Sequence, residues 1–310
     1  MQRFDLRPAA GSEILDLGRI DGPMLIFGGT YSNLEATEAL LAAAARHGIA
    51  PANMICTGDV VAYCADAAAV TALIRDAGIA TVMGNCEESL GAEAADCGCG
   101  FAPGTTCERL SAAWFSYASA VLTDDDKRWM AGLPRRIAFT LAGRRMVAVH
   151  GAPSLINRFI FRSTPAAVKR GEIDLVAADA VLGGHCGLPF SELIDGRLWH
   201  NSGAIGMPAN DGTPRVWYSI LTPGPGGIRI DHHGLTYNHA AAAAKMRAAG
   251  LPREYEQALA SGLWDNDDIL PPAETAAKGT GLAFAPLLWS GTAGHDAAPP
   301  PRQLASRRPA

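Results

Sequence analysis

Met83-Gly84-Asn85-Cys86-Glu87-Glu88, read together with Thr57-Gly58-Asp59, decides how this chain is organised. The short strand-like run from Asn53 to Cys56 leads into Gly58-Asp59, and a second from Ile79 to Met83 leads into Gly84-Asn85. Each run ends in a glycine that lets the backbone turn sharply, followed by a side chain whose oxygen is free to ligate a cation. Val147-Ala148-Val149-His150-Gly151 and Val181-Leu182-Gly183-Gly184-His185 repeat the pattern with an imidazole in place of the oxygen. Four strand ends therefore offer Asp59, Asn85, His150 and His185, a mixed nitrogen and oxygen set suited to a divalent metal ion.

Working outward, Ile14 to Leu17 and Met24 to Phe27 are predicted strands separated by a turn over Arg19 to Pro23. Asn33 starts a helix that Gly48 stops, Asp66 caps another that runs to about Ala77, and the strands at 53–56 and 79–83 alternate with them. Such alternation implies a mostly parallel sheet whose ligands gather at the carboxyl ends of the strands. Residues 89–106 break the rhythm, being rich in glycine and small side chains and containing Asp96-Cys97-Gly98-Cys99-Gly100. Two helices are predicted over 107–120 and 123–132, then a hairpin from Arg136 to Val149, then strands near 181–183, 192–194, 198–201, 216–221 and 228–232. An α/β first half followed by a strand-rich second half predicts a four-layer α/β-β/α sandwich of two mixed sheets flanked by helices, over residues 14–262. Residues 263–310 are rich in Pro, Ala and Gly and are expected as a mostly disordered tail.

Composition narrows the partners. Of 310 residues, 48% are hydrophobic and 18% charged, which indicates a packed core. The net charge of -5 argues against a nucleic-acid surface, which would be basic. No apolar run approaches the roughly 18 residues of a membrane span, and the N-terminus lacks the apolar core of a secretion signal. A cytoplasmic location is expected, with the seven cysteines as thiols or metal ligands rather than structural disulfides.

Gly58-Asp59, Gly84-Asn85, His150-Gly151, Gly184-His185 and Asn201-Ser202-Gly203 fall in the order and spacing of the calcineurin-like metallophosphoesterases. The chain resembles the small bacterial branch of that family from about Met24 to about Ile230. There, an opening Asp-x-His-Gly-Asn-Leu-Glu precedes Gly-Asp-x-Val-x-Tyr. The resemblance implies two metal ions sharing Asp59: one on the opening Asp and His with the final His, the other on Asn85, His150 and His185. This chain keeps the second set whole. It departs at the first, where the opening Asp and His are Gly29 and Tyr31 and the final His is Gly187. One ion rather than two is expected, as manganese, iron or zinc, because glycine offers no ligand.

Cys86 stands where the family keeps the histidine that protonates the leaving group, and is the candidate catalytic residue. A thiol beside a divalent cation is expected to lose its proton and act as ligand or nucleophile. Cys97, Cys99 and Cys186 are candidate thiolate ligands, if the 89–107 segment folds back over the strand ends. Tyr31 is expected to fill space. Arg135, Arg136, Arg144 and Arg145 are expected as solvated hairpin positions, and His232, His233 and His239 as surface residues. The expected function is phosphoesterase-like hydrolysis, weak or specialised, of a small phosphorylated ligand. The alternatives are a non-hydrolytic binding module and a metalloenzyme redirected to iron or zinc by its cysteines.

Overall fold

Met24-Leu25-Ile26-Phe27 is apolar at every position because both of its faces are covered. In the computed structural model, which describes residues 13–100 and 104–290, Met24 and Ile26 point into a core between two sheets. Leu25 and Phe27 point into a second core under helices. The first sheet runs, in spatial order, β1 (Ile14–Ile20), β5 (Arg136–Leu141), β6 (Arg144–Ala148), β7 (Ala180–Gly183), β9 (Arg197–Asn201) and β8 (Phe190–Ile194). The second runs β12 (Leu287–Trp289), β11 (Gly227–Leu235), β10 (Val216–Gly224), β2 (Met24–Phe27), β3 (Met54–Cys56) and β4 (Ala80–Thr81). Both sheets are mixed: β2, β3 and β4 are parallel, as are β6, β7 and β9, while hairpins β5–β6, β8–β9 and β10–β11 close them.

Helices α1 (Leu34–Arg46), α2 (Ala67–Asp76), α4 (Thr106–Val121), α7 (His239–Ala248) and α8 (Arg253–Ser261) cover the outer face of the second sheet through one apolar cluster. α6 (Ala166–Leu175) covers the first sheet, with Ile173 against Val147, Val181 and Trp199. The four-layer sandwich of two mixed sheets is thus observed. α3 (Asn85–Gly91), α5 (Asp124–Ala131) and α9 (Pro272–Ala277) complete the helices among the described residues.

Three expectations are corrected here. Residues 263–290 are not a disordered tail: they hold α9 and β12, and β12 extends the second sheet beside β11. Residues 291–310 lie outside the described residues. Trp289 on β12 is buried in the core between the sheets and donates to the Gly196 carbonyl at 2.8 Å, in the β8–β9 turn of the opposite sheet. Arg144 is not solvated but buried, its guanidinium 4.1 Å from the centre of the Trp289 ring and 3.1 Å from the Ser290 carbonyl.

His232 is likewise not a bare surface residue. On β11 it lies 2.9 Å from Ser191 Oγ of β8; that hydroxyl is 2.8 Å from His200 Nδ1 on β9, and His200 Nε2 is 2.7 Å from Ser219 Oγ on β10. The chain of bonds crosses twice between the two sheets. His233 stacks on Tyr218, and His239 is half-buried at the start of α7.

Burial, then the neighbouring His232, pushes His200 well below the usual histidine range, and burial, then His233, brings His232 to about 4 despite Asp231. The unfolded chain takes up protons on both rings below about pH 6.5 while the folded chain resists them. Stability is therefore expected to fall as pH drops from 6.5 toward 4, by about 1.4 kcal/mol per unit for each ring. Urea midpoints at pH 7 and pH 5 should show a shallower drop in His200→Gln. Trp289→Ala should cost about 3–5 kcal/mol, read in the same assay.

Candidate metal centre

β3 and β4 deliver their ends from the second sheet, and β6 and β7 deliver theirs from the first. At the end of β3, Gly58 has φ 96°, and a side chain there would meet both His150 Nδ1 and the Gly84 amide at 2.8 Å. Only glycine lets the two strand ends approach this closely. Asp59 follows in the left-handed region, φ 57°. It is held there by its amide, which donates to Glu87 Oε2 at 2.8 Å.

Glu87 was not singled out from the sequence, yet it organises this turn. Oε2 also accepts from the Gly84 amide at 2.9 Å, and Oε1 accepts from the Val61 amide at 3.3 Å. The readable signal was its position three residues after Gly84, the spacing of a capping box. Asn85 and Cys86 therefore begin the helix α3, directly after Gly84. Burial, then the Asp59 carboxylate, raises Glu87 to about 7 despite these donors.

His150 follows β6. Its Nδ1 lies 2.7 Å from the Thr57 carbonyl, which can only accept, so Nδ1 carries the proton and Nε2 presents a bare lone pair. That lone pair faces Asn85 Oδ1 at 3.0 Å, His185 Nδ1 at 2.9 Å and Asp59 Oδ2 at 3.3 Å. The Asn85 amide nitrogen is spent on the Cys97 carbonyl at 2.8 Å, so its oxygen is the atom turned inward. Asp59, His150 and His185 alone place three ligand atoms within 4.8 Å of one another. Four electron-rich atoms from four strand ends thus converge with too few protons to bridge them, an arrangement a divalent cation among them resolves. The residues fit the metal ion that the sequence implied.

The titration of the site follows its charges. Burial opposes ionised Asp59, but His150 beside it holds the carboxyl below its usual range. Burial opposes charge on His150, while Asp59 lifts it above the ordinary value. His185 is pushed to about 3 by burial and then by His150.

Tyr31 is buried and packs beside the Gly29 and Gly187 backbone. Its ring lies where a side chain at Gly29 would stand, and its hydroxyl is 3.6 Å from where a Gly187 side chain would begin. The three departures from the family motif therefore meet at one point.

The cysteines fall into separate roles. Cys97 and Cys99 are joined as a disulfide, which corrects the expectation of free thiols and leaves neither sulfur as a thiolate. Their loop does return to the strand ends, with Cys99 Sγ 3.3 Å from the Asn85 amide nitrogen. Cys186 is buried with its sulfur 3.2 Å from Asn201 Nδ2 and 3.7 Å from the Leu188 carbonyl. Burial, and then the Asp59 carboxylate, push the Cys86 thiol well above its ordinary value. It therefore faces Asp59 as a hydrogen-bond donor.

A pocket opens above the centre. Asp59, His185, Tyr31 and Gly187 form its floor, with the Phe159 ring centre 4.2 Å from that of His185 and tilted 34° to it. The far wall, unread in the sequence, comes from Tyr63 and from α8 and the segment after it. No helix of the described residues is long and apolar enough to cross a membrane.

Comparison with known proteins agrees with this geometry. The calcineurin-like phosphoesterase superfamily domain matches residues 24–222. Among solved structures, a metallophosphoesterase from Sphaerobacter thermophilus is 23% identical with a TM-score of 0.63, covering 79% of this chain and 100% of its own. A hypothetical protein from Pyrococcus horikoshii is 14% identical with a TM-score of 0.67, over the same 79% and 100%. At these identities the likeness is one of fold. No curated protein matches the sequence. The family match spans most of the chain, and the four donors stand at the strand ends of a two-sheet sandwich: the chain belongs to the calcineurin-like phosphoesterase superfamily.

Proposed function

We propose that the chain hydrolyses a phosphoric ester at a single divalent cation held by Asp59, Asn85, His150 and His185. The observation that carries this reading is the bare His150 Nε2 facing three further donor atoms at 2.9–3.3 Å. Tyr31 in the other ion's place supports a count of one.

A bound divalent ion would polarise a phosphoryl oxygen and lower the pKa of a water beside it. The chain's own residues supply the rest. Asp59 is the sole anionic donor of the four, so the loaded floor keeps net positive charge and attracts a phosphoryl group. Glu87 fixes Asp59 through its amide, and the Thr57 carbonyl fixes the His150 tautomer. Burial, then Asp59, raises the Tyr31 phenol well above its ordinary value, so it stays protonated. Its hydroxyl, at the pocket floor, is placed to donate to a phosphoryl oxygen as charge develops there. Cys86 holds the Asp59 carboxylate in place.

Two outcomes are expected. Purified protein loaded with manganese should retain one ion per chain by elemental analysis, and Asp59→Ala should retain none. Two ions per chain, with turnover of bis-p-nitrophenyl phosphate near an ordinary enzyme's ~10 per second, would overturn the single-ion reading. Tyr31→Phe keeps the ring and removes only the hydroxyl. It should lower kcat by about 10²-fold with metal stoichiometry unchanged. A protein that holds one ion and turns over no phosphoester would favour the binding module instead.

A further inference from the structure

Tyr31, Tyr63 and Tyr255 all line the pocket over the centre, and Phe159 and Trp264 face it with them. The rings are close-set: Tyr31 and Tyr63 centroids lie 4.9 Å apart, and Tyr63 and Tyr255 4.6 Å apart. Among the described residues, the other tyrosine hydroxyls are bonded, Tyr117 to the Ala65 carbonyl, Tyr218 to His47 and Tyr237 to Asn33. These three phenols have no hydrogen-bond partner there, and Tyr31 is only 6% exposed. The pocket therefore presents phenol hydroxyls that are free to meet a ligand.

Its charge is as informative as its shape. Glu254 and Asp265 stand at the mouth, and among the described residues no Lys or Arg lines the pocket. Neither acid takes an ion pair among them, although ion pairs are common elsewhere on the surface, as at Arg247–Glu256 and Lys278–Asp267. Asp268 adds its charge beside the half-buried Cys107 at the same edge. A bare phosphate, a nucleotide or a polyphosphate would have to pass these carboxylates with no basic side chain to receive it. A positively charged group meets the opposite: aromatic faces, whose electron-rich centres attract cations, and two unpaired carboxylates.

We propose that this pocket binds an organic ammonium group, so that the substrate is a phosphoester whose alcohol carries a positive charge. Such a molecule is zwitterionic. Its phosphoryl end is drawn to the positive floor at Asp59 and His185, and its ammonium end to Tyr255, Glu254 and Asp265. The inference rests on the hydrolase reading for the identity of the reacting end; the ammonium subsite itself requires no turnover.

The test uses the full chain and two probes of one shape, choline and its uncharged carbon isostere 3,3-dimethylbutan-1-ol. Calorimetric titration is carried out with manganese present and again after chelation. Choline is expected to bind in both conditions, at least tenfold tighter than the alcohol. Glu254→Gln combined with Asp265→Asn should weaken choline by tenfold or more and leave the alcohol unchanged. Tyr255→Leu should weaken choline as well, while Tyr255→Phe, which keeps the ring, should not. Equal affinity for the two probes, or no binding of choline, overturns the proposal. So does preference for adenosine over both, which would assign the walls to a neutral aromatic ring. Loss of choline binding in a protein that still hydrolyses bis-p-nitrophenyl phosphate would overturn the ammonium subsite alone. Choline binding in a protein without hydrolysis would overturn the hydrolase reading alone.

Discussion

The contact between the Thr57 carbonyl and His150 Nδ1, at 2.7 Å, is the one on which the rest of this structure depends. Thr57 leaves the end of β3 in one sheet and His150 leaves the end of β6 in the other, so this bond joins the two halves where their strands stop. The same bond fixes the tautomer of His150 and turns a bare nitrogen toward Asp59, Asn85 and His185. The approach is close enough that side chains are excluded around it. One at Gly184 would run into Thr57, and one at Gly58 would meet His150. What looks in the sequence like four similar strand ends is one contact seen from four sides.

Much of this was legible beforehand because the residues obey local rules. Apolar runs closed by Gly-Asp, Gly-Asn and Gly-His mark strand ends irrespective of the partner strand, and the helices around 34–46 and 124–131 begin on Asn33 and Thr123, whose side chains cap them. What was not legible depends on contacts far apart in sequence. β1 and β2 are separated by only a short turn yet join different sheets, because β1 pairs in parallel with β5 and β2 with β3. Trp289 sits in a segment of disordered composition and is ordered by Gly196 and Arg144. His232 reads as a surface histidine until Ser191 and His200 come to meet it. The Cys97–Cys99 pair was misjudged from location alone, since compartment says nothing about two cysteines one residue apart on a tight loop.

Gly29, Tyr31 and Gly187 look in the sequence like three separate losses of a ligand. In space they are neighbours around one phenol ring. The ring needs the absence of a side chain at Gly29 and leaves its hydroxyl beside Gly187. The single-ion reading proposed above bears on charge. A floor of two divalent ions shared by two carboxylates would carry about two positive charges; one ion on Asp59 leaves about one. A less positive floor attracts simple phosphate anions less strongly. The unpaired acids at the pocket mouth and the absence of basic residues in its lining among the described residues run in the same direction.

Strain supports the same view of the site as built before any ligand arrives. Tyr31, Ser32, Asp59 and Tyr63 all hold positive φ, between 43° and 58°. Such backbone costs on the order of 1–3 kcal/mol at each residue and persists only where its surroundings over-determine it. Here the two turns are laced together: the Tyr31 amide donates to the Asp59 carbonyl at 3.2 Å, Ser32 to Val60 at 2.9 Å, and Cys64 back to Tyr31 at 3.1 Å. Glu87 adds its bonds to Asp59 and Val61 from α3. The turn at Tyr31 and the turn that carries Asp59 therefore hold each other in shape. The Tyr31 phenol and the Asp59 carboxylate are positioned by one hydrogen-bonded unit.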